Sequence, residues 1–143
     1  LAAMFGPEAE PDDETGPEAQ LRHTLRESLR PEFVNRLDEV VLFAALGPDE
    51  LREIAKVELR RFAERVRTAL GITLAWDDGV PSFIGAAAWR SRPEQAARGV
   101  GRCVNDLVPP LLRLLDRAEE DGRRVDQVLL IVDDGGVAVT LHE

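Results

Sequence analysis

Apolar residues recur at helical spacing through most of this chain and alternate like a strand near its end. The longest helical run has its apolar stripe at Leu51, Ile54, Ala55, Leu59, Phe62, Val66 and Leu70. This stripe predicts an amphipathic helix of about 23 residues, spanning ~35 Å. Gly47 is the expected N-cap, Pro48 the first helical residue and Gly71 the left-handed C-terminal cap.

The segments that follow this helix are shorter and predict one strand and three helices. Ile72–Trp76 alternates and predicts a strand, and the Ala-rich run Val80–Trp89 predicts a second helix. A third helix is expected over Glu94–Val108, with Pro109 and Pro110 kinking or breaking it. The leucine-rich run from Leu111 then continues as a fourth helical segment.

The C-terminal residues have the pattern of a β-hairpin. Val125–Val132 is rich in β-branched and apolar residues, Asp133–Gly136 has turn composition, and Val137–Leu141 alternates. From Gly47 onward the predicted order is therefore helix, strand, helix, helix, helix, strand, strand. This order indicates an α+β fold in which helices pack on a small sheet with a C-terminal hairpin.

The first part of the chain has a different composition. Residues 1–20 combine Gly and Pro with many acids, which predicts a flexible acidic loop or tail. Gln20–Leu29 carries a leucine every fourth position and predicts a short helix, and Pro31 can begin a further helical turn. The apolar run Val40–Leu46 is interpreted as a buried strand or an extended connector.

The charge and composition of the chain disfavour several classes of binding partner. The net charge of −9 disfavours nucleic acid and anionic membranes. No apolar run approaches the ~20 residues of a membrane helix, and no secretory signal pattern is present. The lone Cys103 excludes an internal disulfide and a multi-cysteine metal site, and a reducing cytoplasmic location is the default expectation.

The sequence contains no self-contained active site. Phosphate loops, dinucleotide fingerprints, zinc-binding HExxH and the GxSxG nucleophile elbow are all missing from these residues. His23 and His142 are isolated and are interpreted as solvated surface histidines. Cys103 lies near an apolar helix face and is interpreted as a structural thiol.

Two arginines are candidates for chemistry on phosphates. Arg36 follows a short Pro-initiated helix and could present its planar guanidinium outward, a geometry suited to a transferring phosphoryl group. Spacing alone favours a salt bridge from Arg36 to a nearby acid, with Asp38, Glu39 and Glu32 as candidate partners. Arg98 follows the basic residues Arg90 and Arg92, and spacing alone favours an ordinary solvated helix arginine.

The run from Arg30 to Phe43 resembles a known family. It reads RPEFVNRLDEVVLF and is similar, with aliphatic exchanges only, to a segment of the second ATPase module of Clp-type AAA+ ATPases. Leu46–Ile54 resembles the segment that opens the family's small C-terminal lid domain, and Gly71–Leu74 resembles a strand of that domain. The resemblance extends from about Leu21 to the end of the chain.

This resemblance implies a domain layout and two site residues. Residues 21–46 would be the C-terminal end of the large ATPase domain and a connector, and residues 47–143 the small lid domain. Arg36 falls on the family's arginine finger, which acts in trans on the nucleotide of a neighbouring subunit. Arg98 falls on the second-sensor arginine, which contacts the nucleotide of its own subunit.

The resemblance also implies partners and cofactors. ATP and Mg²⁺ would be bound by the full-length protein but not by this chain alone. The expected partners are the neighbouring subunits of a homo-hexamer and the protein substrates that the hexamer unfolds. Whether a peptidase is also a partner is left open by the resemblance. The lid would couple ATP binding and hydrolysis to motion between subunits and to assembly.

The sequence departs from the family around Arg98. The family's Gly- and Tyr-containing run before that arginine is replaced by Ala88–Ala96, and the Pro that follows it is Gly99 here, while Gly101 replaces a basic residue. These departures motivate an alternative, a non-catalytic assembly or adaptor module that keeps the lid fold.

The isolated chain is expected to show no ATP hydrolysis above buffer, because it carries no phosphate loop. Phosphate release measured with the purified chain and Mg-ATP checks this expectation. Turnover by the chain alone would contradict the assignment of catalysis to residues outside it.

Overall fold

The structure is a computed structural model that describes residues 16–141. These residues form three short strands and a set of helices. The chain divides into two compact units between Ala44 and Ala45. In the first unit, helix α1 spans Pro17–Ser28 and the single turn α2 spans Pro31–Val34. Residues 1–15 of the predicted flexible loop lie outside the described part of the chain.

Helix α1 begins three residues before the predicted start at Gln20. Pro17 occupies the first turn, where no intrahelical donor is needed, and Glu18 follows it, where the helix dipole favours an acid. The residues from Pro17 to Gln20 are therefore helical, and the expectation of loop there was wrong.

The apolar run Val40–Leu46 forms no strand, so the buried-strand interpretation was wrong. Val41 is 60% exposed and Phe43 87% exposed. The described residues contain one sheet, whose strands all come from later in the chain, so nothing pairs with this run.

The second unit contains the longest helix, α3, over Pro48–Leu70. Its predicted boundaries are confirmed: Gly47 is the N-cap, and Gly71 ends the helix with a φ of 72°. The Gly47 N–H donates to the Glu50 carboxylate at 2.9 Å, which satisfies one donor that the helix leaves free. Local capping signals therefore sufficed to locate this helix.

The remaining elements follow the predicted order. Strand β1 is Thr73–Trp76, helix α4 Gly79–Ser91, helix α5 Ala96–Asn105, helix α6 Val108–Glu120, strand β2 Gln127–Asp133 and strand β3 Gly136–Leu141. The sheet order is β1-β2-β3, with β1 parallel to β2 and β2 antiparallel to β3. The α+β fold with a C-terminal hairpin is confirmed.

The hairpin turn follows its sequence signal. Asp134 has a φ of 43° and Gly135 a φ of 78°, so both central residues are left-handed. Turns of this kind match the twist of two antiparallel strands and favour Asp-Gly.

The predicted third helix is shorter than expected at both ends. A 3-10 turn over Pro93–Gln95 precedes α5, and α5 ends at Asn105. Pro109 and Pro110 do not break this helix, because they lie in the first turn of α6, where their missing N–H groups cost nothing.

One hydrophobic core joins α3, α4, α5, α6 and the sheet. Leu51, Leu59, Val80, Val100 and Val128 are fully buried within it. Helix α4 crosses α3 closely at Gly85, where an added Cβ would lie 3.1 Å from the backbone nitrogen of Arg52. The second unit is therefore one packed body built around a single core.

Candidate functional site

Arg36 lies in a tight turn directly after α2. Its backbone N–H donates to the Phe33 carbonyl at 3.1 Å, and the Leu37 N–H donates to the Val34 carbonyl at 3.1 Å. These bonds continue the helical turn and hold the Cα of Arg36 in place. The backbone around this arginine is therefore ordered by local hydrogen bonds.

The guanidinium of Arg36 is free within the described residues. The side chain is exposed and makes no ion pair or hydrogen bond with any of residues 16–141. Asp38 and Glu39, two expected partners, instead line a groove of about 320 Å³ together with Arg22 and Arg26 of α1. The salt bridge that spacing favoured for Arg36 is not formed, and its guanidinium keeps all its donors for another group.

Arg98 lies on the exposed face of α5, at the third position of the helix. The opposite face is anchored, since Ala96, Val100 and Val104 are buried in the core. The spacing of these three residues, four apart, keeps one side of α5 on the core and leaves Arg98 in solvent. Arg98 makes no ion pair or hydrogen bond with the described residues.

Gly99 brings α5 close to α4 beside Arg98. A Cβ at Gly99 would lie 3.2 Å from the Cβ of Ala88, which is itself buried. Gly99 is one of the departures from the family beside Arg98, where the family has a Pro. The structure gives it a packing role, and the signal in the sequence was a pair of small residues, Ala88 and Gly99.

Arg98 belongs to a positively charged stretch. Residues 90–102 contain four arginines and one glutamate, a net charge of +3 in a chain of net charge −9. All four arginines are exposed, and none forms an ion pair within the described residues: Arg90, Arg92, Arg98 and Arg102. Unpaired guanidinium groups at the junction of α4 and α5 can bind an anion such as a phosphate.

The remaining titratable candidates have structural or surface roles. His23 is exposed and lies 3.5 Å from the Glu27 carboxylate, as expected for a surface histidine, while His142 lies outside the described residues. Burial, followed by the nearby Asp106 carboxylate, raises the pKa of the Cys103 thiol, so this thiol is not activated as a nucleophile. The Lys56 ammonium group donates a hydrogen bond to the Glu53 carboxylate at 2.7 Å, which lowers the pKa of Glu53.

Metal and membrane sites are not found in the described part of the chain. No group of three or more His, Cys, Asp or Glu residues among positions 16–141 could hold a metal ion. Likewise, none of the helices described here is long and apolar enough to cross a bilayer.

The chain is similar to curated Clp proteins over most of its length. It is 37% identical over 121 residues to the chaperone protein ClpB of Streptomyces albus G, a match covering 78% of this chain and 14% of the relative. It is 31% identical over 114 residues to a probable ATP-dependent Clp protease ATP-binding subunit of Chlamydia pneumoniae, covering 78% of this chain and 13% of the relative. It is 35% identical over 88 residues to the ClpB of the same organism, covering 62% of this chain and 10% of the relative.

These matches fix the family but not the activity of a whole protein. The chain spans only 10% to 14% of the length of these relatives. No family model matches the chain. Because two kinds of Clp relative align across most of this chain, the chain belongs to the Clp family of AAA+ ATPases.

Proposed function

We propose that this chain is the lid domain and the adjoining end of a large ATPase domain in a Clp-type unfoldase. The observation that carries this proposal is the alignment of 78% of the chain with Clp proteins named as a chaperone and as an ATP-binding subunit. In this role the chain couples ATP binding and hydrolysis to motion between the subunits of a homo-hexamer and to their assembly. ATP and Mg²⁺ are bound by the complete protein, and protein substrates are its cargo.

The exposed apolar side chains of the first unit are consistent with its being the end of a larger domain. Phe33 is 61% exposed, Val41 60% and Phe43 87%, and helix α1 has no buried residue. Apolar side chains exposed to this extent favour burial against a further protein surface. A large ATPase domain continuous with this unit supplies such a surface.

Arg36 acts in trans on the nucleotide of the neighbouring subunit. Its free guanidinium and its position in an ordered turn support this role. As the γ-phosphoryl group transfers, charge spreads over its equatorial oxygens, and a planar pair of N–H donors stabilises that charge. A guanidinium already held by Asp38 or Glu39 would first have to break that pair.

Arg98 acts in cis on the nucleotide of its own subunit. Its backbone belongs to the packed second unit, so a contact between Arg98 and a phosphate would move the whole unit as a rigid body. The absence of a competing carboxylate and the positive charge of residues 90–102 support this role. The same features disfavour the adaptor alternative, which needs no exposed unpaired arginine there.

In the complete protein, Arg98→Ala is expected to lower ATP turnover about tenfold or more, since one donor to a phosphate is lost. Because Arg98 is exposed and unpaired, the melting temperature should not change. Steady-state ATPase rates and the affinity for a fluorescent ATP analogue measure both effects.

The matched control for that variant is Arg113→Ala, which removes an exposed arginine from α6, outside the positive stretch. It should leave turnover unchanged. Turnover of Arg98→Ala equal to that of the unmodified protein would remove the nucleotide-sensing role and favour the adaptor alternative.

A further inference from the structure

The outer edge of strand β1 has unpaired backbone groups. β1 ends the sheet on one side, with β2 as its only neighbour in the described sheet. The Thr73 N–H donates to the Asp126 carbonyl at 3.0 Å, and the Asp77 N–H donates to the Leu130 carbonyl at 3.1 Å. Because alternate residues of a strand point their backbone groups to opposite edges, those of Leu74 and Trp76 point away from β2.

A groove lies along this free edge. It has a volume of about 300 Å³ and is formed by one face of α3 together with β1. The lining residues are Arg60, Ala63, Glu64, Arg67, Thr73, Leu74 and Trp76. Trp76 is only partly buried, so its indole ring offers an apolar surface to anything that enters the groove.

The groove carries a positive charge at both ends of its helical wall. Arg60 and Arg67 lie two turns apart on α3, about 10 Å along the helix axis. Both are exposed, and neither forms an ion pair or side-chain hydrogen bond with the described residues. Glu64 lies between them, so the wall keeps a net positive charge in a chain of net charge −9.

We propose that this groove binds an extended acidic segment of a partner polypeptide, which adds to β1 as a further strand. The free N–H and C=O groups of Leu74 and Trp76 require a peptide backbone as their complement. Arg60 and Arg67 select a segment with carboxylate side chains. The surface is formed by α3 and β1, whereas Arg98 lies on α5 and Arg36 follows α2, so neither arginine assigned to nucleotide belongs to it.

Charged side chains can also protect a sheet edge from pairing. In that case the arginines would exclude a strand instead of recruiting one. A second copy of this chain could likewise occupy the edge. Amide exchange in the presence and absence of a peptide distinguishes the three cases.

The probe is a soluble octapeptide in which glutamate and threonine alternate, added to the full chain at up to millimolar concentration. Amide hydrogen exchange followed by NMR should show added protection at Leu74 and Trp76, the two β1 amides that point away from β2. A peptide of the same charge with alternate N-methylated backbone nitrogens should give no protection, because it cannot pair with a strand.

Charge reversal tests the selectivity. The double variant Arg60→Glu, Arg67→Glu should weaken binding about tenfold or more, since both attractive contacts become repulsive. The matched double variant Arg113→Glu, Arg117→Glu makes the same charge change on α6 and should bind like the unmodified chain. Exchange rates at buried core amides confirm that both variants stay folded.

Several results would overturn the proposal. Unchanged exchange at Leu74 and Trp76 would mean that the edge is protected from pairing. Equal binding of the N-methylated peptide, or of a peptide with lysine in place of glutamate, would exclude strand addition or acidic selectivity. Protection that rises with the concentration of the chain alone would identify a second copy as the occupant.

Discussion

Replacing Arg36 by alanine in the complete protein is expected to reduce ATP turnover by about a thousandfold or more, the scale on which arginine fingers act. Nucleotide affinity should stay nearly unchanged, because a finger supplied in trans contacts mainly the transition state. The exposed side chain has no partner among residues 16–141, so the stability of the protein should change by less than about 0.5 kcal/mol.

Turnover under saturating ATP and binding of a fluorescent ATP analogue separate these two effects. Arg26→Ala, an exposed arginine on α1 of the same unit, serves as the control and should retain turnover. If Arg36→Ala turned over ATP within a few-fold of the unmodified protein, Arg36 would not be an arginine finger but an ordinary surface residue.

A mixing experiment tests the trans assignment itself. Arg36→Ala subunits are mixed with subunits that cannot bind nucleotide but keep Arg36. Each kind is inactive alone, and a mixed oligomer restores turnover where an intact Arg36 faces an intact nucleotide site. No recovery in mixed oligomers of demonstrated composition would contradict action across the interface.

Truncating Leu59 to alanine is expected to destabilise the second unit by about 3 kcal/mol, within the range measured for fully buried leucines. Leu59 is 0% exposed at the centre of α3, where that helix packs against the rest of the core. A domain of this size has only about 5–15 kcal/mol of stability, so the loss is a large fraction of the total.

Urea unfolding followed by tryptophan fluorescence measures this loss, because Trp76 and Trp89 both pack against the same core. Leu70→Ala is the matched control. It makes the same chemical change on the same helix at a side chain that is 47% exposed. It should cost less than about 1 kcal/mol, and equal losses for the two variants would contradict the assignment of Leu59 to the core.

For the two candidate arginines, the residue pattern and the family resemblance predict different roles. Their identity came from the resemblance, since spacing alone favoured a salt bridge for Arg36 and a plain surface role for Arg98. The structure removes the salt bridge as an explanation for Arg36, whose guanidinium has no partner among residues 16–141. The sequence offers Ala88 and Gly99 as two small residues, but their contact depends on how α4 and α5 cross, which only the tertiary structure decides.

The sequence by itself determined the features that local chemistry controls. Gly47, Pro48 and Gly71 defined α3 because caps satisfy the free backbone groups of helix ends within a few residues. The Asp134-Gly135 turn defined the hairpin for a similar reason, since both residues adopt left-handed backbone angles.

Only the tertiary structure decided the features that depend on distant partners. The parallel pairing of Thr73 with Gln127 joins residues that are far apart in the chain. The apolar run Val40–Leu46 forms no strand and is not part of the described sheet. The hydrophobic pattern indicates that burying a segment would be favourable. The free energy of burial is gained only where another element provides an apolar surface against which the segment can pack.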